Sequence, residues 1–180
     1  MTGRTVAERV NRLRTDFDRS FAEPARTVGA DSVELLAIGV GGRPYALRLS
    51  QASGVHPDRA VTALPTPVPA LLGVAGFAGA VVPVYDLAAL LGHPIPERPR
   101  WLVLTTGAPP LALAFHRLDH HLRVPVVDVV EGSIGDAGPG TYLQGLVRLP
   151  DGNRPIVDVP ATRALVHQLA GHQPDPKETS

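Results

Sequence analysis

Gly73 is followed ten residues later by Pro83-Val84-Tyr85-Asp86-Leu87, and Gly145, again ten residues later, by Pro155-Ile156-Val157-Asp158-Val159. The two proline motifs stand 72 residues apart. Ahead of each lies a pair of apolar runs around a glycine-bearing turn. In the first copy Val33–Val40 and Tyr45–Leu49 flank Gly41-Gly42; in the second Trp101–Leu104 and Leu111–Phe115 flank Gly107-Ala108-Pro109-Pro110. Two apolar runs around a turn are a hairpin signal, and the two hairpins are about 66 residues apart. A unit that recurs once at such a spacing implies two similar β subdomains rather than one mixed sheet.

Length and punctuation agree with that layout. A chain of 180 residues makes one domain or two small ones closely fused. Its 18 glycines and 19 prolines forbid long helices over most of its length. Hydrophobic residues at 44% against 19% charged supply a sizeable core.

Residues 5–23 are the exception. Val6, Val10, Leu13, Phe17 and Phe21 form one apolar stripe at helical spacing, Thr5 and Glu8 are spaced as a capping box, and Pro24 ends the pattern. Such a helix either packs on its own domain or docks a partner. The predicted organisation is an N-terminal helix and linker over 1–30 and a main domain over 31–171. A proline-rich connector lies near 93–100, a mobile loop over Glu131–Thr141, a second helix from Pro160 to Gly171, and a disordered tail over 172–180.

Several functions are excluded. Seventeen basic residues balance seventeen acidic ones, so no basic field meets nucleic acid. The absence of cysteine removes disulfides, thiolate metal sites and thiol nucleophiles. Arg4, Glu8, Arg9, Arg12 and Arg14 interrupt any signal-peptide core. The uncharged run Ala60–Tyr85 is long enough to span a bilayer, but Pro65, Pro67, Pro69 and Pro83 make it a buried β segment instead. The expectation is a soluble, cytoplasmic protein without direct membrane insertion.

Candidate catalytic groups reduce to structural ones. Asp86 and Asp158 each precede a helical stretch and suit N-caps. His116, Asp119, His120 and His121 are the densest set of potential metal ligands, but the strand-like flanks send His120 and His121 opposite ways and favour a solvated turn. Ser53 lacks the glycines of a nucleophile elbow, and the glycines at 132, 135, 138 and 140 lack the Lys-Ser/Thr of a phosphate loop. No enzymatic activity, cofactor or metal is expected.

A family resemblance fits this reading. Tyr45-Ala46-Leu47, Val55, Thr62, Pro65, Pro69, Gly73-Val74-Ala75-Gly76-Phe77-Ala78-Gly79 and Val82-Pro83-Val84-Tyr85-Asp86-Leu87 resemble the CheW-type chemotaxis coupling domain over about residues 33–170. The resemblance implies a mainly β fold of two SH3-like five-stranded β-barrels packed around a shared core. It implies a non-enzymatic adaptor that joins methyl-accepting chemoreceptors to a CheA-type histidine kinase at membrane-associated arrays, with other CheW-like domains as further partners. By the same resemblance Ala52, Val55, Gly73, Phe77, Ala78 and Gly79 are partner surface or its support. Gly73 and Gly79 equally suit turns that need positive φ, and Phe77 suits the core. The family pattern has arginine at the position of Ala78, and valine and glutamate where Ala52 and Gly54 stand. Arginine to alanine removes a fixed fork of donors, so the departures imply an altered partner choice. They also leave open a role as an array component that binds kinase or other adaptors but not receptors.

Overall fold

The computed structural model describes residues 32–94, 98–132 and 142–171. The predicted helix at 5–23, most of the loop at 131–141, the tail at 172–180 and part of the connector at 93–100 lie outside these residues. The description that follows concerns the unit that begins at Val33.

The first apolar pair folds as predicted into a hairpin of β1 (Ser32–Val40) and β2 (Arg43–Arg48). Gly41 and Gly42 form the turn with φ of 55° and 77°, the two positive values that suit a tight hairpin. The chain continues through β3 (Ala52–Pro57), β4 (Leu71–Phe77), β5 (Ala80–Asp86) and the short helix α1 (Leu87–Leu90). The second copy supplies β6 (Trp101–Thr105), β7 (Ala112–Phe115), β8 (Arg117–Pro125), β9 (Val129–Glu131), β10 (Leu143–Val147), β11 (Arg154–Val157) and helix α2 (Val159–Gly171). Ala60–Tyr85 is a loop followed by β4 and most of β5. No helix among the described residues is long and apolar enough to cross a membrane.

The strands form a six-stranded sheet, β8-β1-β2-β11-β10-β9, and a five-stranded sheet, β3-β6-β7-β5-β4. Each copy's first hairpin has therefore crossed into the other copy's sheet. β2 pairs in parallel with β11 at Ala46 and Ile156, and β7 pairs in parallel with β5 at Ala112 and Val84. Ala112 follows Ala46 by 66 residues and Ile156 follows Val84 by 72, the two offsets of the sequence repeat.

In the larger sheet the two ends of the strand order, β8 and β9, are consecutive in the chain and linked by the short turn Val126–Asp128. The smaller sheet closes where the chain beyond β3 returns to β4. There the Thr62 amide donates to the Val74 carbonyl at 2.8 Å and the Val74 amide to the Thr62 carbonyl at 2.9 Å. The strand count is six and five rather than five and five because this single bridge in one sheet is lengthened into β9 in the other.

Burial explains the unbroken apolar runs. All of Ala112–Phe115 is buried, as is Leu35–Val40, because one face of each strand lines its own barrel and the other faces the core between barrels. Ala112 and Ala114 join Val84 and Leu102 inside the smaller barrel; Leu113 and Phe115 join Leu36, Ile38 and Val157 in the central cluster. On β7, therefore, the small side chains face the barrel interior and the bulky ones fill the space between. Helix caps come out as predicted. Asp86 Oδ1 accepts from the Ala88 and Ala89 amides at 2.7 and 3.3 Å, and Asp158 Oδ1 from the Ala161 amide at 2.9 Å.

The expected solvated turn at His116–His121 does not form; a single bend at the half-buried His116 separates β7 from β8. Residues 117–125 form the edge strand β8 beside β1. Arg117, His120, His121 and Arg123 are exposed while Leu118, Leu122 and Val124 are half-buried or buried, so polar residues dominate an edge strand that the density of histidines disguised.

Candidate functional site

The expected partner residues gather on the smaller barrel, though at different depths. Phe77 ends β4 and Ala80 begins β5, so Ala78 and Gly79 form a two-residue turn. Both have positive φ, 47° for Ala78 and 84° for Gly79. Both are exposed, and nothing lies within 4 Å of where a Cβ on Gly79 would stand. The tip therefore presents whatever side chain position 78 carries, here a methyl group. An L-residue in this backbone region is strained. Ala78→Gly is expected to leave stability unchanged or raise it by up to about 1 kcal/mol, whereas Ala78→Val lowers it, as thermal unfolding would register.

Phe77 is only 5% exposed and packs with Ala75, Val82 and Leu102 inside the barrel. The His56 ring meets it edge-on at 5.0 Å, and the Arg59 guanidinium stands 4.7 Å from its centroid. Arg59 Nε donates to the Gly76 carbonyl at 2.8 Å, and its Nη2 donates to the same oxygen. These contacts hold a cation at the base of the turn. Neither His56 nor Arg59 stood among the expected site residues. The signal for Arg59 was its place as the last charged residue before the uncharged run Ala60–Tyr85.

Gly73 has another function. It is buried, with φ of 140°, and a Cβ there would stand 2.0 Å from the Thr62 carbonyl oxygen. It is the point where the closing segment crosses β4. Gly145 repeats the arrangement, with its added Cβ 2.5 Å from the Val130 carbonyl of β9. The recurrent glycine is thus the seam of each barrel.

On β3, Ala52 and Val55 are half-buried against the central cluster. A bulge between Ala52 and Gly54 shifts the register against β6, and Ser53 Oγ donates to the Leu104 carbonyl at 3.1 Å. A Cβ on Gly54 would stand 2.8 Å from His56 Nε2, so this position and His56 share a face next to Phe77. The structure thus brings β3 and the β4–β5 turn together through His56. Gly73 and Phe77 are buried.

Two further polar sets are structural. Tyr45 Oη lies 2.5 Å from His93 Nε2; burial and the nearby Arg43 hold the His93 pKa below the usual imidazole range, which favours a neutral ring accepting from the tyrosine. Asp119 pairs with Arg154 at 2.7 Å and with Arg117, so it serves an ion network rather than a metal. Among the described residues no three His, Asp or Glu side chains converge as metal ligands.

The family model for the CheW-like domain matches residues 34–166. Among solved structures, the crystal structure of the scaffolding protein TtCheW from Thermoanaerobacter tengcongensis aligns with a TM-score of 0.63 at 13% sequence identity, covering 69% of this chain and 88% of that one. At that identity the likeness speaks for the fold. No curated protein matches the chain.

Proposed function

Because this chain belongs to the CheW-like domain family, whose members are non-enzymatic scaffolds and adaptors, we propose that it couples chemoreceptors to a CheA-type histidine kinase through protein–protein contacts. Its place in this reading is cytoplasmic, at membrane-associated receptor arrays. The observation that carries the reading is the family match over nearly the whole two-barrel unit. The exposed Ala78-Gly79 tip beside β3 supports it as a surface held rigid from below. Ala52, Val55, Ala78 and Gly79 form the contact region, and Gly73 and Phe77 maintain its shape.

A second reading rests on Ala78 and Gly54, which present no charged group where the family pattern has arginine and glutamate. In that reading the protein occupies a lattice position by binding kinase or other CheW-like domains without engaging receptors. Reconstitution separates the two. Purified full-length protein is mixed with a CheA-type kinase and receptor-bearing vesicles, and kinase autophosphorylation is followed. Receptor-dependent stimulation is the expected result. Kinase binding without stimulation, restored by Ala78→Arg, favours the array component. Failure to bind the kinase overturns the coupling function, and failure to bind both the kinase and another CheW-like domain overturns the second reading as well.

A further inference from the structure

A cleft of 510 Å³ opens on the smaller barrel, between the segment that follows β3 and the segment that enters β6. Its floor is apolar. Leu102, 3% exposed, belongs to the barrel interior, and Val61 and Leu72 pack against the same cluster. Its rim is basic, and among the described residues Arg59, Arg98 and Arg100 stand there against one carboxylate, that of Asp58.

The three guanidinium groups are held differently. Arg59 is fixed by the Gly76 carbonyl and the Phe77 ring. Arg100 makes a two-pronged contact with Asp58, at 3.1 Å from Nε and 3.0 Å from Nη2, and the Asp58 amide donates to the Arg100 carbonyl at 2.7 Å. This ion pair is largely exposed, at 70% and 61%, and so is weak enough to exchange its carboxylate. Arg98 is exposed, and no carboxylate among the described residues pairs with it.

We infer that this cleft binds a protein segment in which an apolar side chain is flanked by acidic residues. The apolar side chain covers Leu72, Val61 and Leu102, and the carboxylates meet the arginine forks, as Asp58 already meets Arg100. Nucleic acid fits poorly. The chain has no net charge, and the exposed large hydrophobics among the described residues are Leu64 and valines, which offer no stacking platform. A small anion alone would leave the apolar floor in water. The inference goes beyond the coupling function, although the cleft shares Arg59 with the base of the Ala78-Gly79 turn.

The test is selection of a random twelve-residue peptide library on the full-length protein, followed by fluorescence anisotropy with the enriched peptides. Arg98→Glu and Ala63→Trp serve as variants; Ala63 also lines the cleft, and both residues are exposed, so neither change disturbs the core. The expected peptides pair a leucine or phenylalanine with acidic neighbours. Their binding weakens with salt, falls roughly tenfold in Arg98→Glu and is lost in Ala63→Trp, which fills the cleft. Peptides without the acidic–apolar pattern, or binding that neither variant alters, overturn the inference. Full displacement by millimolar citrate also overturns it, because a small anion would then suffice. No kinase or receptor enters this assay, so its failure leaves the coupling function untouched.

Discussion

Replacing Gly73 with alanine is expected to cost at least about 3 kcal/mol of stability, a large share of the roughly 5–15 kcal/mol that holds a folded domain together. The new methyl carbon would lie 2.0 Å from the Thr62 carbonyl oxygen and within 3 Å of two more backbone atoms. A backbone oxygen that accepts from the Val74 amide has no rotamer by which to step aside. The residue would in addition be forced to φ of 140°, where side chains are rarely found. Relief requires the closing segment to leave β4, which breaks both Thr62–Val74 hydrogen bonds and opens the barrel. Urea unfolding of purified variants measures the effect. Gly76→Ala on the same strand is the control, since nothing lies within 4 Å of its added Cβ, and it should change stability by less than about 1 kcal/mol. Gly145→Ala should fall between them, having a 2.5 Å clash with the Val130 oxygen but no positive φ. A Gly73→Ala protein as stable as the Gly76→Ala control would refute the seam.

The second large effect belongs to the pair of Asp119 on β8 and Arg154 on β11. Two strands lie between β8 and β11 in the sheet, so the pair bridges its curl. Their side chains are only 16% and 11% exposed, and the contact is 2.7 Å. Asp119→Ala leaves the Arg154 cation nearly buried, with only the exposed Asp151 at 3.4 Å, and is expected to cost about 3 kcal/mol. Most of that is the desolvated charge left behind. Asp119→Leu combined with Arg154→Met should therefore recover much of the loss, an outcome a simple sum of deletions does not give.

The same pair sets a pH dependence. Burial pushes the Asp119 carboxyl upward, but hydrogen bonds and charge from Arg117 and Arg154 outweigh it and hold its pKa below the ordinary value. A carboxyl whose pKa is depressed in the folded state binds protons more readily when unfolded. Its contribution is complete above the unfolded value of about 3.9 and is lost as pH falls through the folded one. Denaturant midpoints measured from pH 6 down to pH 3 should fall more steeply for the wild type than for Asp119→Asn. Parallel curves would show that the pair carries no such linkage.

The offsets of 66 and 72 residues announced two β subdomains, and they reappear unchanged as the parallel pairings Ala46–Ile156 and Val84–Ala112. Asp86 and Asp158 were legible as caps because a cap is a local arrangement of three or four residues. Hairpin turns at Gly41-Gly42 were legible for the same reason. The site was less so. Phe77 and Gly73 share one short motif with Ala78 and Gly79, yet two are buried and two exposed. That division depends on Thr62 and His56, which approach from elsewhere in the chain. Arg59 escaped notice because its partners, the Gly76 carbonyl and the Phe77 ring, are neighbours only across the closed barrel.

The repeat by itself determined that this chain makes two similar β units, each followed by an aspartate-capped helix; that each unit closes, with the recurrent glycine at its seam, came only from the structure. The repeat could not determine which hairpin serves which unit. Both copies carry an equivalent hairpin with equivalent apolar faces, so local pattern and burial are satisfied whether each stays at home or crosses over. Only the tertiary structure, in which β1–β2 pairs with the second copy and β6–β7 with the first, decides for exchange. The physical reason is that strand pairing over such separations is selected by the closing of whole barrels around one shared core, a property of no single segment.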